Sequence, residues 1–349
     1  MAALSESGDL FRLYDGKADD GLDSLLLRRL IGDACAEGDQ GLVLALCVQL
    51  ATALPLLAET AKTAAALRVL DACFSGEEVL AVAATDEGPG SDLVALGTTV
   101  TRRRSGDLVL NGRKRWITCG TQARHALVLA RHRPGRHITN FTWLLVPTSA
   151  PGVSVSAVDT PLFAGAGLAH LELADVEVPD EWVLGGFGRG LPVFVRHLTV
   201  ERLASATWAI ELCRLVLSRT VELVADRRID GEPLSRNASV RQRLAVCLVQ
   251  LSGLTALWER LHERIAVRHD AAAAALLKAA SGTTAIQVLE ECCRLYGAEG
   301  FGTDGVQQLR TEAAVFGIGG GATEVMLDLV ADHVPDLLAG LAPAAESEN

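Results

Sequence analysis

Aromatic side chains are scarce: five Trp, two Tyr and eight Phe make up 4% of the 349 residues. That excludes a stacking platform for unpaired bases. Positive charge is also in deficit, with 32 Lys and Arg against 43 Asp and Glu and a net charge of −11. A general nucleic-acid binder needs the opposite balance. The eight cysteines lack metal-site spacing. Cys35, Cys47, Cys73, Cys119, Cys213 and Cys247 stand alone, and Cys292-Cys293 are adjacent rather than C-x-x-C. His125, His137, His170 and His197 are scattered, and no G-x-S-x-G accompanies them. Residues 1–20 carry acids and no apolar core, so they do not read as a signal peptide. The thiols read as reduced and the compartment as cytoplasmic. One long apolar run, residues 42–58, is interrupted by Gln49 and Pro55 and reads as a buried core helix rather than a membrane span.

What the chain does have is apolar bulk. Hydrophobic residues are 49% and the mean hydropathy is +0.27, enough for a large core in two or three packed units. Residues 1–20 are polar. Residues 22–74 show helical periodicity, as in Leu25, Leu26, Leu30 and Ile31. The texture then changes to short apolar strands at 79–84, 108–110, 116–118, 126–130, 142–146 and 153–155, separated by turns. Asn111-Gly112 reads as a hairpin turn. Strands without intervening helices predict an antiparallel sandwich or barrel, not a parallel Rossmann sheet. Helical periodicity returns over 195–341. It is broken at Asp230-Gly231-Glu232-Pro233, at 297–305 and at Gly317-Ile318-Gly319-Gly320-Gly321, which divides it into four helices or so, the number of a bundle. The expected organisation is a helical domain at 1–76, a β-domain at 77–190, a helical bundle at 191–341 and a tail at 342–349.

Two motifs give this order a meaning. Thr85-Asp86-Glu87-Gly88-Pro89-Gly90-Ser91-Asp92 resembles the signature T-E-P-x-A-G-S-D, matching at Thr85, Gly90, Ser91 and Asp92. Further on, Leu110-Asn111-Gly112-Arg113-Lys114-Arg115-Trp116-Ile117-Thr118 is similar to L-N-G-x-K-x-W-I-T. Both belong to the acyl-CoA dehydrogenase family, which the chain resembles over roughly residues 30–335. The resemblance implies an α+β multidomain fold: an N-terminal α-helical domain, a middle antiparallel β-domain and a C-terminal four-helix bundle. It also implies FAD, with Thr85, Ser91, Trp116 and Thr118 around the flavin ring. An indole covers a flat ring, and hydroxyls tune it.

The second half is similar in outline and altered in detail. Arg227-Arg228-Ile229-Asp230-Gly231 stands where the family has R-x-x-F-G, whose Arg reaches the FAD pyrophosphate of a neighbouring subunit; Asp230 replaces Phe. Tyr296-Gly297-Ala298-Glu299-Gly300-Phe301 stands for H-G-G-x-G-Y. Gly297 and Gly300 match, and so do Gly321, Thr323 and Glu324 in the loop that closes near the flavin and adenine.

The catalytic carboxylate is the informative difference. Oxidising an acyl thioester needs a base at the α-carbon, its pKa raised by a dry pocket. Many members carry that Glu where this chain has Gly320. The isovaleryl-CoA and long-chain enzymes carry it instead in E-R-L, with Gly in the loop. Val200-Glu201-Arg202-Leu203 together with Gly320 resembles that second arrangement. Glu201 is then the base, Arg202 its neighbour that anchors or tunes it, and the Gly320 N–H the holder of the thioester oxygen. The other reading of Glu201 is an acid that complements the dipole at a helix start. Glu211, where the family has Gly, is expected to be exposed; the alternative is that it alters the acyl pocket. The runs Arg102-Arg103-Arg104 and Arg113-Lys114-Arg115 either meet CoA or carrier-protein phosphates or form a solvated face.

The expected function is FAD-dependent α,β-dehydrogenation of an acyl-CoA or acyl carrier protein thioester, in a setting of secondary metabolism. An electron-transfer flavoprotein or oxygen would accept the electrons. The protein is expected to be a homodimer or homotetramer, or part of a hetero-oligomer, with no metal, nucleic-acid or membrane partner. Two alternatives stay open: a flavin monooxygenase or oxidase on the same fold, and a catalytically degenerate subunit. The N-terminal helical domain reads as shorter than the family's.

Overall fold

The computed structural model describes residues 1–14, 21–88, 90, 92–303 and 305–341. Six helices come first: α1 (Ala2–Glu6), α2 (Asp9–Leu13), α3 (Ser24–Glu37), α4 (Gln40–Val48), α5 (Leu54–Thr60) and α6 (Ala64–Phe74). Local chemistry sets their ends. The carboxylates of Asp23 and Asp39 accept the first free N–H groups of α3 and α4, and Thr63 caps α6. Gly38 ends α3 in a left-handed conformation, φ 97°.

The chain does not break between α4 and α5. Residues Gln49–Ala53 widen into a π turn, in which the Leu54 N–H reaches back to the Gln49 carbonyl. Pro55 accounts for it: it has no N–H, and its ring collides with the carbonyl four residues back in a regular helix. The apolar run 42–58 is therefore one adjusted rod. Among the described residues, Gln40–Thr60 is one of three stretches, with Ala238–Arg268 and Ala271–Phe301, long and apolar enough to cross a membrane. Most of Gln40–Thr60 is buried inside the protein, so packing uses its apolar surface. Gln49 explains why a polar residue sits in it. Its side chain donates to the Leu80 carbonyl at 2.7 Å and accepts the Leu80 N–H at 2.9 Å, which ties the rod to the first strand.

Eight strands form one sheet: β1 (Leu80–Ala83), β2 (Thr99–Arg102), β3 (Leu108–Ile117), β4 (His125–Arg131), β5 (Phe141–Pro147), β6 (Val153–Ala157), β7 (Ala169–Val178) and β8 (Val183–Leu184). The order is β6-β7-β3-β2-β4-β5-β8, with β1 also on β4. Most pairs are antiparallel, as expected, but β1 and β2 run parallel to β4. The β3 strand and its loops intervene between β1 and β4, a connection long enough for a parallel return. β4 is apolar on both faces because both are covered. Leu127 and Leu129 pack toward the helices, while Ala126, Val128 and Ala130 pack inside the sheet's own core.

Two strand expectations need correction. Asn111-Gly112 is not a turn. It lies inside β3, where the register with β7 shifts. Gly112 passes so close to Thr98 that a Cβ there would lie 2.3 Å from its hydroxyl oxygen, so only glycine fits. The turn sits earlier, at 103–107, closed by the Arg103 N–H and the Asp107 carbonyl. The long strand β7 was not foreseen, although Leu171 and Leu173 alternate with polar residues in it.

The bundle follows: α7 (Gly190–Asp226), α8 (Ala238–Arg268), α9 (Ala271–Tyr296), α10 (Val306–Glu312), α11 (Thr323–Ala331) and α12 (Val334–Ala339). Two long helices, α7 and α8, and the shorter α11 pack around the third long helix, α9. A hairpin, β9 (Arg228–Ile229) and β10 (Glu232–Pro233), joins α7 to α8. It accounts for Asp230. Asp230 and Gly231 both have positive φ, 53° and 83°, and Asp-Gly is the pair that a tight hairpin turn favours.

Candidate active site

Glu201 sits about three turns inside α7, which begins at Gly190, so a dipole at a helix start does not account for it. Its Oε2 accepts a hydrogen bond from the Thr52 hydroxyl at 2.8 Å. Thr52 lies within the π turn. Burial pushes the Glu201 carboxyl above its ordinary value, while Thr52, Arg202 and Lys278 pull the other way. Cys47 lies near it on α4, and burial pushes its thiol well up.

The glycine loop closes over this carboxylate. Gly320 has φ 70° and Gly321 φ 117°, conformations that side-chain-bearing residues rarely adopt. A Cβ on Gly320 would stand 3.6 Å from Glu201 Oε1, 3.7 Å from Lys278 Cε and 3.8 Å from Arg202 Cγ. Arg202 Nε donates to the Gly320 carbonyl at 3.0 Å. A Cβ on Gly321 would meet Met326 Cε at 2.7 Å. Thr323, at the first position of α11, is 3.5 Å from the Gly317 carbonyl through its hydroxyl, and Glu324 beside it is exposed. Glu201, Gly320, Gly321 and Thr323 therefore gather in one place.

The second group lies on the sheet. Trp116 has φ 56° and is 60% exposed, its ring edge-on to His170 at 5.8 Å. A bulky residue held in left-handed backbone costs on the order of 1–3 kcal/mol. Thr85 is exposed beside it, its carbonyl accepting the Arg115 N–H at 3.0 Å, and Thr118 is half-buried. Ser91 lies outside the described residues. The strand is fixed from beneath by Lys114, which is fully buried. Its ammonium meets Asp86 at 2.5 Å and the carbonyls of Ala84 and Leu129 at 3.1 and 2.7 Å. Asp86 also accepts the Thr98 N–H and hydroxyl at 2.6 and 2.8 Å. Burial pulls Lys114 down to about 8, against the pull of Asp86. The Asp86 departure from the signature is thus the counter-ion of this lysine. The two groups meet at the π turn, whose Gln49 contacts Cys119 Sγ at 3.7 Å, one residue past Thr118, while its Thr52 holds Glu201.

The third group is separate from Glu201 in its contacts. Arg227 Nη1 donates to the carbonyls of Leu295 and Tyr296 at 3.3 Å, and a Cβ on Gly297 would stand 3.8 Å from that nitrogen. Gly300 has no room for a side chain, since a Cβ would meet Val306 at 2.9 Å.

Contacts bear on three surface expectations. Glu211 is buried, at 5% exposure, and not exposed as expected. Arg28 and Arg214 approach its oxygens at 3.0 and 2.7 Å. Its charge is affordable there because α3 supplies Arg28 opposite it. Arg102 and Arg103 pair with Asp180, Asp175 and Glu177, and Arg113 and Arg115 with Glu87, while Lys114 between them points inward. These arginines belong to a paired, solvated face. Sequence reasoning missed Thr52 and Lys278. Each is a polar residue in an otherwise apolar helical run, and that was the available signal.

Two family models match: Acyl-CoA dehydrogenase, middle domain, over residues 81–176, and Acyl-CoA dehydrogenase, C-terminal domain, over 188–334. The chain belongs to the acyl-CoA dehydrogenase family. It is 31% identical over 295 residues to the acyl-(acyl-carrier-protein) dehydrogenase MbtN of Mycobacterium sp. (strain MCS), covering 80% of this chain and 72% of that protein. It is 28% identical over 330 residues to the probable acyl-CoA dehydrogenase YngJ of Bacillus subtilis, covering 91% and 83%. The structure of a probable acyl-CoA dehydrogenase from Mycobacterium abscessus superposes with a TM-score of 0.87 at 23% identity, over 95% of this chain and 89% of the other. Acyl-CoA dehydrogenases are oxidoreductases acting on CH–CH groups, and FAD is their cofactor. Flavin-dependent acyl dehydrogenation is accordingly the general chemistry of this chain. Its residues fit the ring: an exposed indole in strained backbone, braced by a buried ion pair, faces outward where a flat ligand can lie on it.

Proposed function

We propose that this acyl-CoA dehydrogenase oxidises the α,β bond of an acyl thioester on coenzyme A or an acyl carrier protein, with Glu201 as the base that removes the α-proton. One observation carries the reading: Glu201 Oε1 lies 3.6 Å from where a Gly320 side chain would begin. A carboxylate on Gly320 and the carboxylate of Glu201 would compete for one place, so the family's two base positions are alternatives for one site. A partly desolvated carboxylate is a stronger base than one in water. Thr52 occupies Oε2, which leaves Oε1 for the proton. The Gly320 N–H would polarise the thioester oxygen and acidify that proton. FAD, when bound, supplies the acceptor for the hydride that leaves the β-carbon. Thr85, Ser91, Trp116 and Thr118 would hold its ring, and Gly321, Thr323, Glu324, Arg227, Gly297 and Gly300 its remaining length, with Arg227 serving a neighbouring subunit.

The same reading carries an electron-transfer flavoprotein or oxygen as acceptor, a cytoplasmic enzyme and a homodimer or homotetramer. The exposed Val246, Leu248 and Val249 on α8 support a subunit contact. MbtN, named for carrier-protein substrates, keeps the carrier-protein thioester beside the CoA one. The test is anaerobic mixing of the purified yellow protein with saturated acyl-CoA and acyl carrier protein thioesters. Loss of the flavin colour with an enoyl product is the expected result. Oxygen uptake on an amine with no enoyl product would instead establish a monooxygenase. A colourless protein that co-purifies with a second dehydrogenase would establish a degenerate subunit.

Thr52 offers a finer test. Its hydroxyl favours the ionised form of Glu201. Thr52→Val removes that bond, so the Glu201 pKa rises further. The acid limb of the reduction rate should move up by about half a unit to one unit. The rate below neutral pH should fall several-fold and recover at higher pH. An unmoved limb would detach Thr52 from the base.

A further inference from the structure

We propose that Lys278 is a positioning residue of this site: it clamps the start of the glycine loop and, with Arg202, keeps the region around Glu201 cationic. The proposal rests on the Glu201 reading for its electrostatic half and on contacts alone for its mechanical half.

Lys278 is 1% exposed, in the middle of α9, among Ala274, Ala275, Ala279 and Gly282. Small residues there let the loop come close. A Cβ on Gly282 would meet the Phe316 carbonyl oxygen at 2.8 Å, so this face of α9 is a seat for residue 316. Lys278 Nζ donates to that same carbonyl. The Phe316 ring is meanwhile pinned edge-on to Trp208 at 4.8 Å. At the far end of the loop, Arg202 Nε takes the Gly320 carbonyl. Between the clamps stand Gly317, Gly319 and Gly320, with no side chains to hold them and the largest backbone freedom to lose. The direction of the Gly320 N–H therefore depends on what grips the carbonyls at 316 and 320.

The charges matter as much. The groups that face Glu201 are Arg202 from its own helix, Lys278 from α9, Thr52 from the π turn and Cys47 from α4. Before proton transfer, two cations face one carboxylate. As the α-proton passes to Glu201, negative charge would build transiently on a thioester oxygen held at the Gly320 N–H, until the hydride carries it away. The same two cations beside the loop would stabilise that charge where it develops. Burial lowers the Lys278 ammonium to about 8, with Glu201 opposing that fall and Arg202 adding to it.

The test uses the full-length chain, with and without FAD. Lys278→Met keeps the volume and removes the charge. Amide hydrogen exchange over residues 317–321 should accelerate about tenfold or more in both forms, because the clamp is gone. In the loaded enzyme, the acid limb of flavin reduction should rise by about one unit, because a cation near a carboxylate holds its pKa down by that amount or more. The reduction rate at saturating thioester should fall about tenfold or more, with little change in KM. Lys278→Arg keeps the charge and should restore the limb. If Lys278→Met does not fold, Lys278→Gln, which keeps a donor without the charge, is read the same way: it should move the limb. Unchanged exchange together with an unmoved limb overturns the proposal. If Glu201 is not the base, Glu201→Gln keeps its rate while loop exchange still answers to Lys278, so the two failures are distinct.

Discussion

Glu201→Gln will slow flavin reduction by an acyl thioester about a thousandfold, within the range a positioned base contributes. Glutamine fills the same space and still accepts from Thr52, so KM should stay within a few-fold of wild type. What it cannot do is take the α-proton. The pH dependence follows from the direction of the shift. Glu201 titrates above its ordinary 4.5 because burial disfavours its charge. The wild-type rate therefore falls as pH drops through that raised value, and the glutamine variant loses this limb. The same shift is a statement about stability. Between the ordinary and the raised value, the folded protein holds a proton that the unfolded chain has lost. Stability is thus fully present below 4.5 and declines as pH climbs through the folded value. At neutral pH the variant should melt no lower than wild type, as expected where a strained group serves catalysis. Stopped-flow reduction and a thermal melt at two pH values check both statements. Bleaching as fast as wild type would end the assignment of the base.

The largest effect on stability is expected at Lys114. Lys114→Met leaves the Asp86 carboxylate buried without its cation and the carbonyls of Ala84 and Leu129 without their donor. Breaking a buried pair from one side costs about 3–5 kcal/mol. For a chain of this size that lowers the melting temperature by roughly 5–10 °C. The function should follow, because the same pair joins the strand that presents Trp116 to the loop that presents Thr85. The variant should purify with less flavin, and added FAD should restore part of the colour. The double variant Asp86→Ala with Lys114→Met should recover part of the lost stability, since removing both charges is cheaper than stranding one. Calorimetry and the ratio of flavin to protein absorbance read the outcome. A single variant that melts with wild type and stays fully yellow would show that the pair braces nothing.

The part of the site that was legible in the sequence lay in contiguous stretches. Trp116 and Thr118 belong to one motif, and Glu201 and Gly320 are each marked by their immediate neighbours. The caps of α3, α4 and α9 by Asp23, Asp39 and Asp270 are also local, a side chain bonding two or three residues ahead, though sequence reasoning did not single them out. Asn111-Gly112 misled for the same reason in reverse. Its local preference is a turn, and the neighbouring strand turned it into a bulge. Glu211 misled because an isolated carboxylate prefers water, whereas Arg214, three residues on, and Arg28, 183 residues away, make its burial tolerable.

The sequence by itself determined the order of helical, strand and helical segments and the family, and it singled out Glu201 as the candidate base. Periodicity, turn chemistry and motif spacing act over a few residues and survive without a structure. Only the tertiary structure decided that Glu201 lies against the Gly320 loop, that Thr52 bonds it across 149 residues of sequence, and that Lys278 and Arg202 grip the glycine loop. Those facts depend on how a π turn, two long helices and a loop without side chains meet. A hydrogen bond or a charge acts over a few ångströms of space, whatever the distance along the chain.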